Sequence, residues 1–182
     1  MTSILKLIED RRSVRKYQDK PVEPEKINAL LEAARMAPSA CNAQPWEYVV
    51  FTDKEAKNKF CETVFTGIYS STKFAAAAPV IIAVISNKGN WSSRVGNIVC
   101  QTSFYLIDQG ISTGYLTLAA QEQGLGTCYI GWFDHKKAAK FLNLGNGQKV
   151  ELLLSAGYPA ESPAPRPRKT AREVIFHNKY KQ

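Results

Sequence analysis

Arg11, Arg12 and Arg15 flank Ser13 near the start of the chain, and Arg166, Arg168 and Lys169 cluster near its other end. Guanidinium groups bind phosphate through paired N–H donors, and a serine hydroxyl adds one more hydrogen bond, so the two clusters can converge on a single dianion. A solvated charged surface would use the same residues, and only convergence in space separates the two readings. Between the clusters, the loop Pro38-Ser39-Ala40-Cys41-Asn42-Ala43-Gln44-Pro45-Trp46 offers Ser39, Asn42 and Gln44. These are neutral groups of the kind that read the edge of a heteroaromatic ring without adding charge, although a satisfied turn needs the same types. Cys41 in that loop is either a thiol beside a ligand or a small buried filler.

Other chemistries lose support by inspection. Gly124-Leu125-Gly126 begins a G-x-G, but Tyr129 holds the third glycine position and the pair precedes a strand pattern, the reverse of a dinucleotide fingerprint. It reads as a helix stop. There is no G-x-x-x-x-G-K-[ST], no H-E-x-x-H and no G-x-S-x-G. His135 and His177, both near lysines, read as surface residues, which removes a His-dependent triad. Cys41, Cys61, Cys100 and Cys128 are far apart with no C-x-x-C pair, so neither a zinc site nor a disulfide framework is visible and free thiols in a reducing compartment are expected.

The elements that must position these groups follow from patterning. Ser3 is a candidate cap for a short helix carrying Ile4, Leu5, Leu7 and Ile8. Pro24 suits the first turn of a second helix with Ile27, Leu30, Leu31 and Ala34 at helical spacing, and Pro38 stops it. The spacing then predicts a strand over 47–52, a helix capped by Asp53 to about Phe65, and a strand over 80–85 whose β-branched run suits burial on both faces. The longest helical pattern lies between Asn97 and Gln123, with Gly110 and Gly114 one turn apart, which suggests close helix packing between subunits. A strand over 127–132, a helix capped by Asp134, and a strand over 150–158 complete the pattern. The segments 59–91 and 89–95 are expected to shape access to the site.

From Pro159 the character changes. Four of nine prolines fall within 159–167, and six Lys/Arg against two Glu in 159–182 put +4 of the net +8 in this tail. The division expected is a single domain over 1–158 and an extended arm over 159–182, whose apolar end, Val174, Ile175 and Phe176, favours packing on another surface. The 182 residues, 45% hydrophobic and 22% charged, suffice for a genuine core. The longest apolar run, Phe74 to Ile85, is too short for a membrane span, and Met1-Thr2-Ser3 does not open a signal peptide, so a cytoplasmic protein with no membrane partner is expected.

The segment Arg11-Arg12-Ser13-Val14-Arg15-Lys16-Tyr17, the loop from Pro38 to Trp46, the run Gly124-Leu125-Gly126-Thr127-Cys128-Tyr129-Ile130-Gly131-Trp132-Phe133, and Gly157-Tyr158-Pro159 followed by Arg166-Pro167-Arg168-Lys169 occur in that order over nearly the whole chain. Together they resemble the ordered signature of the nitroreductase family, and the length resembles a compact member. The resemblance implies an α+β fold: a central, mostly antiparallel sheet flanked by helices, in an intertwined homodimer whose extended C-terminal arm crosses to the partner. It also implies FMN at the dimer interface and NADH or NADPH as electron donor. Arg11, Arg12, Ser13 and Arg15 would lie along the phosphate, ribityl chain and pyrimidine edge, and Arg166 and Arg168 would close on the phosphate. Ser39, Asn42 and Gln44 would approach the flavin from the other subunit, Tyr129, Ile130, Gly131 and Trp132 would pass beside its ring, and Lys73 with Ser70 would contact its pyrimidine side. Gly131 stands where many members carry an acidic residue, and Phe74 to Ala78 replaces a more polar stretch, which leaves the nicotinamide preference open.

The implied activity is transfer of hydride from NAD(P)H through the flavin to an electron-poor acceptor such as a nitroaromatic or a quinone. No side-chain acid or base is obligatory and no metal is implied; Arg15 would act as the electrostatic tuner of the flavin. The alternative on the same scaffold is a flavin-dependent dehydrogenase or dehalogenase of a dedicated substrate, and a non-catalytic flavin carrier differs only in turnover. From another class, the +8 charge with Tyr17, Tyr69 and Tyr180 near basic residues could serve nucleic acid, but the basic residues are split between the chain ends and no RRM, KH or helix-turn-helix pattern is present.

Overall fold

The computed structural model describes residues 3–87 and 101–180. Trp91, the segment 89–95 and Cys100 lie outside the described residues. Strands β1 (Trp46–Phe51), β2 (Val80–Ser86), β3 (Gly126–Ile130) and β4 (Lys149–Gly157) form one antiparallel sheet in the order β1-β2-β4-β3. β2 and β4 are central, and all seven residues of β2 are buried, as its β-branched run demands. Alternation divides them between two cores. Ile81, Ala83 and Ile85 pack with Phe60, Cys61 and Val64 of helix α3 (Lys54–Val64) and Ala138 of α5 (His135–Phe141). Val80, Ile82 and Val84 pack with Ile27, Leu30 and Ala34 of α2 (Pro24–Arg35) and Leu116 and Ala120 of α4 (Phe104–Glu122). The sheet is therefore sandwiched between two helical layers.

Local signals set most boundaries. Asp53 accepts the Ala56 N–H at 2.8 Å and Asp134 the Lys137 N–H at 2.9 Å, so both predicted caps form. Ser3 makes no side-chain cap bond to α1 (Ile4–Asp10). The long helix runs from Phe104, three residues after Gln101, which adopts φ +50°; the start of its expected pattern, Asn97 to Cys100, lies outside the described residues. The strand expected to reach Trp132 ends at Ile130, leaving Gly131 and Trp132 in the following loop. Between α3 and β2 an eleven-residue 3₁₀ run, Gly67–Ala77, replaces ordinary loop. The buried Lys57 ammonium donates to the carbonyls of Ala76 (3.0 Å) and Ala78 (2.6 Å) at its end. Burial pulls the pKa of Lys57 down.

Much apolar surface stays open. Leu7 of α1 is buried, whereas Ile4, Leu5 and Ile8 are exposed, as are Leu106, Ile107, Ile111 and Tyr115 of α4. Among the described residues, a side chain at Gly110 or Gly114 would meet nothing within 4 Å, so none of them makes the close approach expected there. The tail runs extended from Pro159, takes one helical turn, α6 (Ala171–Val174), which the proline-rich composition hid and the Thr170–Glu173 capping box secures, and bends over 177–180.

The segment 11–17 crosses the end of the sheet where Gly126 of β3 pairs with Gly157 of β4. Ser13 bridges Thr127 and the Val14 N–H donates to the Thr127 carbonyl at 3.0 Å. A Cβ on Gly126 would lie 2.6 Å from Val14 Cγ2, and one on Gly157 2.6 Å from Pro79 Cγ and 3.1 Å from Tyr17 Cδ1. The Tyr17 hydroxyl donates to the Val14 carbonyl at 2.7 Å and pairs with Ser155 Oγ at 2.8 Å. Gly157→Ala is therefore expected to overpack this seat and cost about 1–3 kcal/mol. Urea denaturation checks it, and an unchanged midpoint would show that the Pro79 and Tyr17 rings yield freely.

Candidate functional site

Seated there, the segment turns its basic residues toward the start of the C-terminal arm. The arm root runs beside it: the Gln18 N–H donates to the Tyr158 carbonyl and the Ala160 N–H to the Lys16 carbonyl, each at 2.9 Å, with a bridge between Tyr17 and Pro159. One Glu161 carboxylate oxygen accepts the N–H groups of Arg15 (2.6 Å) and Lys16 (3.2 Å). Arg11, Arg12, Ser13 and Arg15 then face Pro163, Ala164, Pro165, Arg166 and Arg168 across a cleft of about 560 Å³. The two clusters that the sequence puts at opposite ends of the chain line a single concavity.

Its donors are not equally free. The Arg12 Nη1 folds back onto the carbonyls of Glu9 and Arg11, where a cation suits the C-terminal end of α1. Arg15 reaches the Ser13 carbonyl only weakly, at 3.4 Å, and its guanidinium carbon lies 5.7 Å from the Phe74 ring centroid, so the cation rests on the 3₁₀ run. The Arg11 Nη1 is buried with no hydrogen-bond partner. A buried guanidinium nitrogen left unsatisfied in an arginine-lined cleft fits an anionic group bound beside it, and the donor set has the chemistry for a phosphate. Arg11 also lines a shallower groove of about 420 Å³ with Ile8, Ile111, Gly114, Tyr115 and Tyr129.

The remaining predicted residues fall elsewhere. Tyr129 is exposed toward that groove, while Ile130, 2% exposed, packs in the core and can offer a ligand only its backbone. Gly131 and Trp132 are exposed. The Trp132 indole donates to the Ile68 carbonyl at 2.9 Å, its carbonyl accepts from the Thr72 hydroxyl at 2.6 Å, and its ring lies 5.2 Å from that of Tyr69, which pins the 3₁₀ run carrying Ser70, Lys73 and Phe74. Lys73 does not line the arginine cleft.

Ser39, Asn42 and Gln44 do not line it either and hold one another: the Gln44 N–H donates to Ser39 Oγ at 2.9 Å and the Gln44 amide reaches Asn42 Oδ1 at 3.3 Å. Cys41, Asn42 and Gln44 all have positive φ, 46–52°, an unusual run for side chains with a Cβ. Helix α4 holds the loop from beneath. Asp108 Oδ1 accepts the Ala40 N–H at 3.1 Å, Gln109 Nε2 donates to the Pro45 carbonyl at 3.0 Å, and Ser112 Oγ donates to the Ala34 carbonyl at 2.6 Å. Sequence reasoning missed Glu161, Asp108 and Gln109. Polar residues at buried helix positions were the available signal for the last two, and Glu161 carried none beyond its place beside four prolines.

Cys128, buried on β3, has its thiol pKa raised by burial, with Arg15 and Arg11 pulling it back. Burial pushes Cys61 from 9.0 up to about 11 and Tyr48 up to about 12, and raises Tyr17 further. At pH 8 a thiol reagent should therefore label the exposed Cys41 and spare Cys61 and Cys128; labelling of Cys128 at the Cys41 rate would mean that β3 opens to solvent. In the unfolded chain the Cys61 thiol loses its proton near 9, two units before it does when folded, so it favours the folded state below pH 9 and this contribution is lost as pH rises towards 11. Denaturation midpoints measured from pH 8 to 11 should fall, and Cys61→Ala should flatten the slope.

Among the described residues no group of three or more His, Cys, Asp or Glu is placed to hold a metal ion, and no helix is long and apolar enough to cross a membrane. The sequence profile of the nitroreductase family matches residues 8–158. An FMN reductase (NAD(P)H) of Bacillus subtilis is 29% identical over 199 aligned positions, covering 97% of this chain and 74% of that protein. An iodotyrosine deiodinase of Thermotoga neapolitana is 27% identical over 195, covering 96% and 97%. The crystal structure of a nitroreductase family protein from Streptococcus pneumoniae superposes with a TM-score of 0.80 at 25% identity, covering 97% of this chain and all of that one.

Proposed function

The chain belongs to the nitroreductase family, and on that premise we propose that it is an FMN-dependent oxidoreductase that passes hydride from NADH or NADPH to an electron-poor acceptor such as a nitroaromatic or a quinone. The observation that carries this reading is the single cleft lined by Arg11, Arg12, Ser13, Arg15, Arg166 and Arg168. Its concave shape and five guanidiniums suit one compact dianion better than the long strip of a nucleic-acid backbone. FMN, when bound, supplies the hydride chemistry through its ring. The chain's part is to hold and tune it. Arg11, Ser13, Arg166 and Arg168 bind the phosphate. Arg15, steadied over Phe74, puts positive charge at the pyrimidine edge, with Lys73 on the same side. Tyr129 and the backbone of Ile130, Gly131 and Trp132 flank the ring.

The assembly proposed is a homodimer with the cofactor at its interface. Exposed Ile4, Leu5 and Ile8 of α1 and Leu106, Ile107, Ile111 and Tyr115 of α4 leave large apolar side chains open on two adjoining helices, and the bare Gly110 and Gly114 allow a partner helix close. In that dimer residues 1–158 are the FMN-binding domain, and the arm 159–182, rooted on its own chain at 159–161, carries its apolar end, Val174 to Phe176, onto the partner. Ser39, Asn42 and Gln44, turned from their own chain's cleft, approach the flavin of the partner subunit. The cytoplasm is the proposed location. Likeness over 97% of the Thermotoga deiodinase favours one second reading, reductive dehalogenation of a dedicated substrate on the same scaffold.

Purified protein should be yellow, bleach on anaerobic addition of NADH or NADPH, and elute at twice 20.3 kDa in light scattering. Colourless protein that cannot be loaded with FMN would sink the reading. The double variant Arg166→Ala/Arg168→Ala is expected to weaken FMN binding roughly 10- to 100-fold, the worth of about 1.5–3 kcal/mol in charge-assisted hydrogen bonds. Arg15→Ala should lower the flavin's reduction potential while leaving it bound; an unchanged potential removes Arg15 from that role.

A further inference from the structure

The wall of the cleft formed by Pro163 to Arg168 depends on what fixes it. Backbone pairing between the arm and segment 15–18 ends with the Ala160 N–H on the Lys16 carbonyl. Pro163, Pro165 and Pro167 have no N–H with which to continue it. Among the described residues, no hydrogen bond or ion pair attaches 162–169 to the rest of the chain. The last attachment before the wall is the Glu161 carboxylate, whose Oε1 accepts the N–H groups of both Arg15 and Lys16, 146 and 145 residues away in sequence. Alternating prolines make the stretch beyond it a semi-rigid extended spacer, so the position of Glu161 is transmitted to Arg166 and Arg168.

We propose that Glu161 is a positioning residue that holds the arm against Arg15 and Lys16 and so sets the cleft's preference for a phosphorylated flavin over an unphosphorylated one. The proposal rests on the FMN reading above. The carboxylate has two opposed effects. Its oxygen fixes the wall that carries two phosphate-binding guanidiniums, while its charge, beside five arginines, repels a dianion. Because one oxygen makes both bonds, glutamine can keep the tether and drop the charge, whereas alanine loses both.

The test compares wild type, Glu161→Ala and Glu161→Gln by fluorescence titration with FMN and with riboflavin, which lacks the phosphate. Glu161→Ala is expected to lose at least tenfold in FMN affinity and less than threefold in riboflavin affinity. Glu161→Gln should bind FMN as tightly as wild type or more tightly. A second readout needs no flavin: trypsin cleavage after Arg168 and Lys169 in the flavin-free protein should accelerate at least fivefold in Glu161→Ala and return to the wild-type rate in Glu161→Gln. If wild type prefers FMN and Glu161→Ala keeps the same preference, or if cleavage is unaltered, the proposal is overturned. Wild type that binds neither flavin would instead defeat the FMN reading, and the cleavage rates would still decide whether Glu161 holds the arm.

Discussion

Two facing glycines govern the arrangement. Gly126 and Gly157 are register partners across β3 and β4, and the absence of side chains there opens the seat that Val14 and Tyr17 fill. Once those residues are down, the rest of the segment is committed: Ser13 joins Thr127, the Tyr17 hydroxyl is spent on Val14 and Ser155, and Arg11, Arg12 and Arg15 are left to line a cleft. The segment then becomes the edge along which the arm root pairs. A packing constraint between apolar side chains and bare backbone thus decides where the positive charge goes.

The loop 38–46 is built on the opposite principle. Its backbone holds three non-glycine residues in the left-handed region, each costing on the order of 1–3 kcal/mol, and buried polar residues of α4 underwrite them. Asp108, Gln109 and Ser112 reach three separate points of α2, the loop and its exit, and all three are buried. Asp108 Oδ2 and Gln109 Oε1 are left without partners, so the support is itself only partly satisfied. Stability is given up here to hold a geometry, the pattern expected where a surface is shaped for binding.

Much of this was legible in the sequence because it follows from local rules. The caps Asp53 and Asp134, the proline start of α2 and the buried run of β2 are written in neighbouring residues. The convergence of the two arginine clusters was readable as a possibility, since charge type and number are in the chain, but the resemblance of four ordered segments was needed to join them. What escaped is non-local or masked by composition. The Asp108 and Gln109 contacts join residues 64 to 68 positions apart, and a helical turn at Ala171–Val174 sits inside a tail whose prolines signal none. Ile130 shows the limit of motif transfer: the motif names a position, while strand alternation decides which way its side chain faces, here into the core.

The cleft joins positions 11–15 to positions 163–168, and the central strand β4 lies between them on the chain. Synthesis runs from the amino end, so the first arginine wall leaves the ribosome long before Gly157, the strand end it is seated against, and before the second wall. The anion site is therefore among the last features of the fold to come together, and a chain stopped before Pro163 would keep all four strands and lose two of the five guanidiniums that line the cleft.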